Sequence, residues 1–157
     1  MVEHPESHLV RKTFVLRKMD LPPEIFMTKR SLLRWFALSF GLISEKESRS
    51  TVIEVLDVLF SSIISKKQNP STFDLQQAFL EKTGKKISEK LMRYHLNRLI
   101  KLNLIYRKLN RYYVNNNPYA EAGNLKESFS YWIKNPINEA MVDLENVLEK
   151  IQEGYKK

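Results

Sequence analysis

The sequence predicts a mainly α-helical fold with a small β-hairpin and with additional helices at its N- and C-terminal ends. Three observations support this class. Apolar residues recur at spacings of three and four through most of the chain, as buried helical faces require. Two short β-rich runs follow one helical segment, and the four glycines are too few for a β-fold with many turns. With 157 residues, 43% of them apolar, the chain can form about one domain with its own core.

The N-terminal region, residues 1–50, is predicted to form an arm and one helix. Residues 13–16 would be a short strand or part of the arm, and the prolines within residues 21–23 end any regular element. A helix is expected over residues 28–43, because Thr28 is a suitable N-cap and a broad apolar face follows it. We expect this region to pack on the core or on a dimer partner.

Residues 51–117 are predicted to form a domain of three helices and a hairpin. The first helix spans residues 51–65, where six apolar side chains fall on one helical face: Val52, Val55, Leu56, Leu59, Phe60 and Ile63. The second helix spans residues 72–82. Either Ser71 or Thr72 would cap its N-terminus, since both side chains can accept a backbone N–H.

The third helix of this domain spans residues 88–102 and begins at a capping serine. Four of its residues are predicted to be buried, and two more to flank them: Met92, Leu96, Leu99 and Ile100, then Leu91 and His95. Asn103 would end the helix, because asparagine tolerates the left-handed backbone conformation. A hairpin of two strands and a two-residue turn is expected next: residues 104–108, 109–110 and 111–115.

Residues 118–157 are predicted to form two further helices with a break between them. Residues 125–134 have a helical pattern, and Pro136 is expected to interrupt the helix and start the last one. The apolar residues of that last helix follow a 3.5-residue period, which predicts pairing with a second copy of the chain. The residues predicted to make the dimer are Ile137, Met141, Leu144, Leu148 and Ile151. The alternative is that this apolar stripe covers the core of the preceding domain.

Positive charge is concentrated in one stretch of the chain. Residues 85–113 hold nine basic residues against one acid, a net of +8, and the other 17 basic and 17 acidic residues balance. A focused positive region attracts polyanions through counterion release, and nucleic acid is the commonest polyanion inside cells. The alternatives are a solvated lysine-rich face and an acidic protein partner.

The order of these three helices and the hairpin is that of a winged helix-turn-helix domain. Residues 87–105 resemble the recognition helix and the start of the wing in ArsR-like and PadR-like transcription regulators of bacteria and archaea. The shared features are a serine at the helix start (Ser88), a Tyr-His-Leu sequence (residues 94–96) and a closing Leu-x-x-Leu-x-Leu-Ile (residues 99–105). Asn103 replaces the usual glycine of that closing motif. The resemblance implies sequence-specific binding of double-stranded DNA, transcription regulation and a homodimer that reads two half-sites.

The predicted interface is a recognition helix in the major groove, residues 88–102, and a wing, residues 104–115. Arginine suits guanine and asparagine suits adenine in bidentate contacts, so Arg93 and Asn97 are predicted to read bases. The full set of predicted DNA-binding residues is basic or polar: Lys85, Lys86, Ser88, Lys90, Arg93, Tyr94, Asn97, Arg98, Lys101, Arg107, Lys108 and Arg111. The alternative is that some of them pair with acidic residues of neighbouring helices.

The catalytic inventory is thin, so we predict that the protein is not an enzyme and uses no cofactor or metal. Cysteine is absent, and His4 and His8 lie four residues apart without a clear third ligand. No apolar run reaches the roughly 20 residues of a membrane span, and the first residues show no signal pattern, so a cytoplasmic protein is expected. The alternative functions are a protein-interaction module, such as a replication or plasmid-maintenance accessory, and an RNA-binding accessory.

Overall fold

A computed structural model describes residues 5–46 and 51–156 of the chain. The protein is mainly helical, with a two-stranded antiparallel hairpin, which confirms the predicted coarse fold class. The chain divides into two compact units, Met1–Ile53 and Glu54–Lys157. Within the described ranges, no helix combines the length and the apolar character that crossing a bilayer requires.

The first unit contains an arm followed by helix α1. Its elements in order are a 3₁₀ turn, an irregular arm, a second 3₁₀ turn and α1: Pro5–Leu9, residues 10–22, Pro23–Met27 and Lys29–Ser39. Residues 13–16, predicted as strand or arm, form no strand and belong to the arm. Thr28 caps α1 as predicted, because its hydroxyl accepts the N–H of Ser31 at 3.0 Å.

Helix α1 ends at Ser39 rather than at the predicted residue 43. Gly41 has a φ of +66°, a left-handed conformation that does not continue a helix. Arg17 of the arm donates its backbone N–H to the carbonyl of Ser39 at 2.8 Å. The Arg17 guanidinium also donates to the carbonyl of Leu38 at 2.9 Å. Leu38 also accepts the N–H of Gly41 at 3.1 Å, so the bonds from Arg17 add to a helix end that the glycine already closes.

Three helices and the hairpin follow in the predicted order. Their bounds are α2, Thr51–Phe60; α3, Thr72–Thr83; α4, Glu89–Lys101; β1, Ile105–Lys108; and β2, Arg111–Val114. A π-helical segment, Ser61–Ser65, extends α2 to the end predicted for it. The three predicted helices agree with these bounds to within about one residue once that segment is included.

Local side chains set the ends of α3 and α4. Ser71, rather than Thr72, caps α3 in a reciprocal capping box with Asp74. Gly84 ends α3 with a φ of +72°. Ser88 caps α4, its hydroxyl accepting the N–H of the residue three positions on at 3.1 Å. Asn103 follows α4 in the left-handed conformation, as predicted.

The core of the second unit is formed by α2, α3, α4 and the hairpin. Its buried side chains include Leu56, Leu59, Leu75, Phe79, Met92, Leu96, Leu99, Ile105, Tyr112 and Val114. An ion pair between buried Asp57 of α2 and Lys82 of α3 lies beside it. One prediction for α4 was wrong: His95 is buried, whereas Ile100 is half-exposed. His95 lies closer than Ile100 to the line of Met92 and Leu99 on the helical wheel.

The hairpin has the two-residue turn that the sequence predicted, although the turn contains no glycine. Leu109 and Asn110 have φ values of +50° and +64°, the pair of left-handed conformations of a type I′ turn. The segment before α3 adds an isolated bridge to this two-stranded sheet. Ser71 forms an isolated antiparallel bridge with Arg111, and the N–H of Tyr112 donates to the carbonyl of Pro70 at 2.9 Å.

The predicted break at residues 135–136 was wrong, because the C-terminal helix runs through the proline. Three segments follow one another without interruption: α5, Leu125–Phe129; a π-helical segment, Ser130–Lys134; and α6, Asn135–Tyr155. Pro136 has no N–H, so the carbonyl of Trp132, four residues earlier, loses its helical donor. The side-chain amide of Asn103 donates to that carbonyl at 3.4 Å. A contact from the end of α4 therefore compensates for the proline.

Candidate nucleic-acid interface

Helix α4 has one fully buried side and one polar side. Met92, Leu96 and Leu99 are 0% exposed and fix the orientation of the helix. The opposite side carries a stripe of exposed residues at spacings of four, three and four, as one helical face requires: Lys90, Tyr94, Asn97 and Lys101. The buried side chains therefore hold two lysines, an amide and a phenol toward solvent.

Two arginines border this stripe, and both interact with neighbours on α4. Arg93 forms an ion pair with Glu89, the only acid of the helix, at 2.8 Å. The guanidinium of Arg98 lies 5.6 Å from the centre of the Tyr94 ring. Arg93 is thus available to a base only if it exchanges Glu89 for that base, whereas Arg98 already stacks over a ring beside the stripe.

The loop before α4 contributes two exposed lysines, Lys85 and Lys86. Ser88, predicted to bind DNA, is also exposed, but its hydroxyl caps α4. A capping hydroxyl that accepts a backbone N–H can still donate its own proton. Ser88 therefore has a structural role that does not depend on a ligand.

The two faces of the hairpin carry different basic residues. Arg107 lies on the face of buried Tyr112, with its guanidinium 5.7 Å from the ring centre, and it donates to the side chain of Asn110 at 3.0 Å. Lys108 and Arg111 lie on the other face, opposite each other in the register. Both faces thus offer exposed cations next to the turn.

A pair of tyrosines on the outer face of the hairpin was missed by the sequence analysis. Tyr106 and Tyr113 stack with their ring centres 5.1 Å apart and an interplanar angle of 12°. They share this face with Lys108 and Arg111. The period-two alternation of the strands would have predicted this grouping, since Tyr113 lies between two buried residues of β2 and Tyr106 follows a buried residue of β1.

Arg111 joins the hairpin to the start of α3. Its guanidinium donates to the carbonyl of Asn69 at 2.8 Å and lies 3.6 Å from the carboxylate of Asp74. The backbone N–H of Ser71 and the nearby Arg111 both hold the pKa of Asp74 below its ordinary value. Some predicted DNA-binding residues were alternatively expected to pair with acidic residues. Arg111 does so with Asp74, and Arg93 does so with Glu89 of its own helix.

None of the twelve predicted DNA-binding residues is buried. The loop, α4 and the hairpin of the same unit expose or half-expose all of them. We call their cations the basic cluster: Lys85, Lys86, Lys90, Arg93, Arg98, Lys101, Arg107, Lys108 and Arg111. Two acids, Glu89 and Asp74, neutralise two of its nine charges locally. The remainder is a positive surface of the kind that attracts polyanions.

Helix α6 presents the five predicted dimerisation residues without burying any of them. Ile137 is half-exposed, and Met141, Leu144, Leu148 and Ile151 are between 49% and 61% exposed. The alternative reading, that this stripe covers the core of the preceding domain, is therefore wrong. The core of the second unit is closed by other residues.

Neither a metal-ligand group nor a similarity to known proteins indicates another kind of site among the described residues. In the part of the chain that the structure describes, no three His, Asp or Glu side chains are grouped to hold a metal ion. His8 is exposed and His95 is buried, while His4 lies outside the described residues. No known protein family, curated protein or solved structure matches the chain. Its function is therefore inferred from the fold and the surface chemistry.

Proposed function

We propose that this chain is a winged-helix protein that binds double-stranded DNA sequence-specifically and regulates transcription. The observation that carries the proposal is the division of α4, with its core-facing apolar residues fully buried and its cations, amide and phenol exposed. Such a helix can enter a groove only on its polar side. In this proposal α4 lies in the major groove and the hairpin is the wing.

The order and pairing of the elements support the winged-helix assignment. The hairpin directly follows the three helices α2, α3 and α4. The residue before α3 pairs with the second strand of the hairpin. That short bridge, between Ser71 and Arg111, ties the hairpin to the helices. A hairpin held in this way would stay beside α4, where a wing must lie to reach the DNA backbone.

The side chains of the stripe match the chemistry of the major groove. The groove is about 12 Å wide and admits one α-helix. The Asn97 amide can donate to and accept from adenine, whereas Lys90 and Lys101 suit phosphate oxygens. Arg93 could replace its contact with Glu89 by a bidentate contact with guanine. This division assigns specificity to the middle of the stripe and affinity to its ends.

A homodimer is part of the proposal, because two-fold dimers read two half-sites with two recognition helices. The exposed apolar residues of α6 would supply the contact between copies. A cytoplasmic location is also part of the proposal.

The test is a titration of labelled duplex DNA with the protein, followed by fluorescence anisotropy at several salt concentrations. We expect Lys90→Ala/Lys101→Ala to weaken duplex binding at least tenfold. The slope of log K against log salt should also fall by about 2, because each lysine that contacts a phosphate adds about one unit. The control is Lys126→Ala/Lys134→Ala, which removes the same charge from exposed sites outside the basic cluster. That variant should keep most of the affinity.

Two further arms separate the proposal from its alternatives. Equal weakening by both double variants would show attraction to net charge alone and would contradict a role for the stripe. Single-stranded RNA that displaces the duplex at equal concentration would favour the RNA-binding alternative. Selection of bound fragments from random duplexes tests specificity, and Asn97→Ala should relax the preference at one base position.

A further inference from the structure

Helix α6 carries a stripe of apolar residues that the fold leaves exposed. We call it the α6 seam: Ile137, Met141, Leu144, Leu148, Ile151 and Tyr155, on a helix with no buried residue. Resting on the homodimer of the proposed function, we propose that the seam pairs antiparallel with the α6 seam of a second copy. The two helices would cross at the level of Asn146, whose own side chain lies on the side of α6 opposite the seam.

The spacing of the seam is symmetric, which is what self-pairing in opposite directions requires. Its intervals are four, three, four, three and four, so it reads the same from either end. With the crossing at Asn146, three layers form and each is repeated by symmetry: Leu144 on Leu148, Met141 on Ile151, and Ile137 on Tyr155. Every residue of the seam thus meets a large apolar side chain, and none is left beyond the end of the other helix.

The residues that border the seam favour the antiparallel direction. One border is apolar or small, with Ala140, Val147 and Gly154, and the other is polar: Asn138, Glu145 and Gln152. Bordering residues set the orientation of paired helices. Antiparallel pairing places each border against the same border of the second copy, apolar on apolar. Parallel pairing would place Ala140 and Val147 against the polar border.

The charges of α6 are compatible with a second copy as the occupant. Four of its five acids occupy outer helical positions, away from the seam: Glu139, Asp143, Glu149 and Glu153. Glu145 alone borders the seam. The first half of the helix is the more acidic, and Lys150 and Lys156 lie in or after the second half. Antiparallel pairing therefore brings acidic and less acidic halves together and opposes the two helix dipoles.

The chain has no cysteine, which permits a direct test by disulfide trapping. Ile137→Cys and Tyr155→Cys would be made separately in the full chain. Each protein alone, and an equal mixture of the two, would then be equilibrated in a glutathione redox buffer without DNA. Antiparallel pairing predicts covalent dimers in the mixture and few in either protein alone, because like ends lie about 27 Å apart. The matched control uses outer positions, Glu139→Cys mixed with Glu153→Cys, and should give no dimer above background.

Two outcomes of the trapping experiment decide against the proposal. Covalent dimers in each protein alone would show parallel pairing. The absence of trapping in every sample, with a monomer by sedimentation, would show that α6 does not bind itself. A duplex titration of the same variants keeps the two proposals separate. Failed trapping with intact duplex binding overturns the pairing and the homodimer through α6 but leaves the DNA role, whereas trapping without duplex binding overturns only the DNA role.

A second variant reports on orientation without a disulfide. In the antiparallel arrangement Glu145 lies near the two-fold axis and faces Glu145 of the second copy. We expect Glu145→Gln to lower the dimer dissociation constant several-fold in sedimentation at neutral pH, because the like-charge contact is removed. In a parallel pair Glu145 would border Ala140, and the dissociation constant would not change.

Discussion

Helices α4 and α6 are both amphipathic but differ in where their apolar sides lie. α4 carries four basic residues and one acid, and three of its apolar residues are 0% exposed. α6 carries five acids and one base, and none of its residues is buried. The hydrophobic period is clear in both sequences, so the period alone does not tell which apolar face the fold will cover.

The comparison separates two uses of an amphipathic helix. The apolar side of α4 is covered by its own chain, which leaves its charged side as the part available to a ligand. The apolar side of α6 remains exposed, so that side is the part available to a partner. The opposite charges fit this division, since a basic helix suits nucleic acid and an acidic helix is repelled by it.

The largest expected difference between the two helices is in the stability lost when one leucine of each is replaced by alanine. Leu99→Ala on α4 should lower the free energy of unfolding by about 2–5 kcal/mol, because it leaves a cavity in the core. Leu148→Ala on α6 should change it by no more than about 0.5 kcal/mol in dilute solution, as at an ordinary surface site. Urea unfolding at low protein concentration measures both. Equal losses in the two variants would mean that α6 is covered within its own chain.

The sequence predicted α4 well because local signals decide its ends and its faces. Ser88 offers a cap, Asn103 tolerates the left-handed conformation, and the spacing of Met92, Leu96 and Leu99 marks one buried face. The exposure of the polar stripe follows from the same spacing. The bounds of α3 were predicted for a similar reason, from a capping residue at one end and a glycine at the other.

The features that the sequence did not predict depend on contacts between distant residues. Pro136 was expected to break a helix, but Asn103 satisfies the carbonyl that the proline leaves without a donor. The guanidinium of Arg17 bonds a carbonyl of α1 that lies 21 positions further along the chain. The contact of Arg111 with Asp74 depends on pairing between the hairpin and the start of α3. None of these partners is recognisable from local sequence.

The next largest effect concerns the contact between the end of α4 and the helix that leads into α6. Asn103→Gly keeps the left-handed backbone but removes the amide that donates to the carbonyl of Trp132. It should therefore lower the free energy of unfolding by about 1 kcal/mol. In a protein that also carries Pro136→Ala, Asn103→Gly should lower the free energy of unfolding by less, because the alanine supplies a backbone N–H for the carbonyl of Trp132. Thermal unfolding of the four proteins gives the coupling, and a coupling of zero would refute the compensation.

A loss of similar size is expected at the start of α3, the helix that packs beneath α4. Ser71→Ala removes the hydroxyl that caps α3 and should lower the free energy of unfolding by about 1 kcal/mol. Ser71→Thr keeps a capping hydroxyl at the same position and is the matched control. If both changes had the same effect, the cap would not be the cause. Duplex affinity should be little changed in either variant, since Ser71 does not belong to the basic cluster.

The smallest effect is a dependence of stability on acid pH that comes from Asp74. The pKa of this carboxyl is lowered in the folded protein, first by the backbone N–H of Ser71 and less by Arg111. A carboxyl whose pKa is lower in the folded than in the unfolded state stabilises the fold when the pH is above the unfolded pKa, which is 3.8 for this residue. That contribution should disappear as the pH falls through the lower, folded value. Asp74→Asn should therefore be less stable than the wild-type protein at pH 7, and the difference should shrink toward pH 2 in urea titrations. A difference that stayed constant over this range would mean that the charge of Asp74 does not stabilise the start of α3.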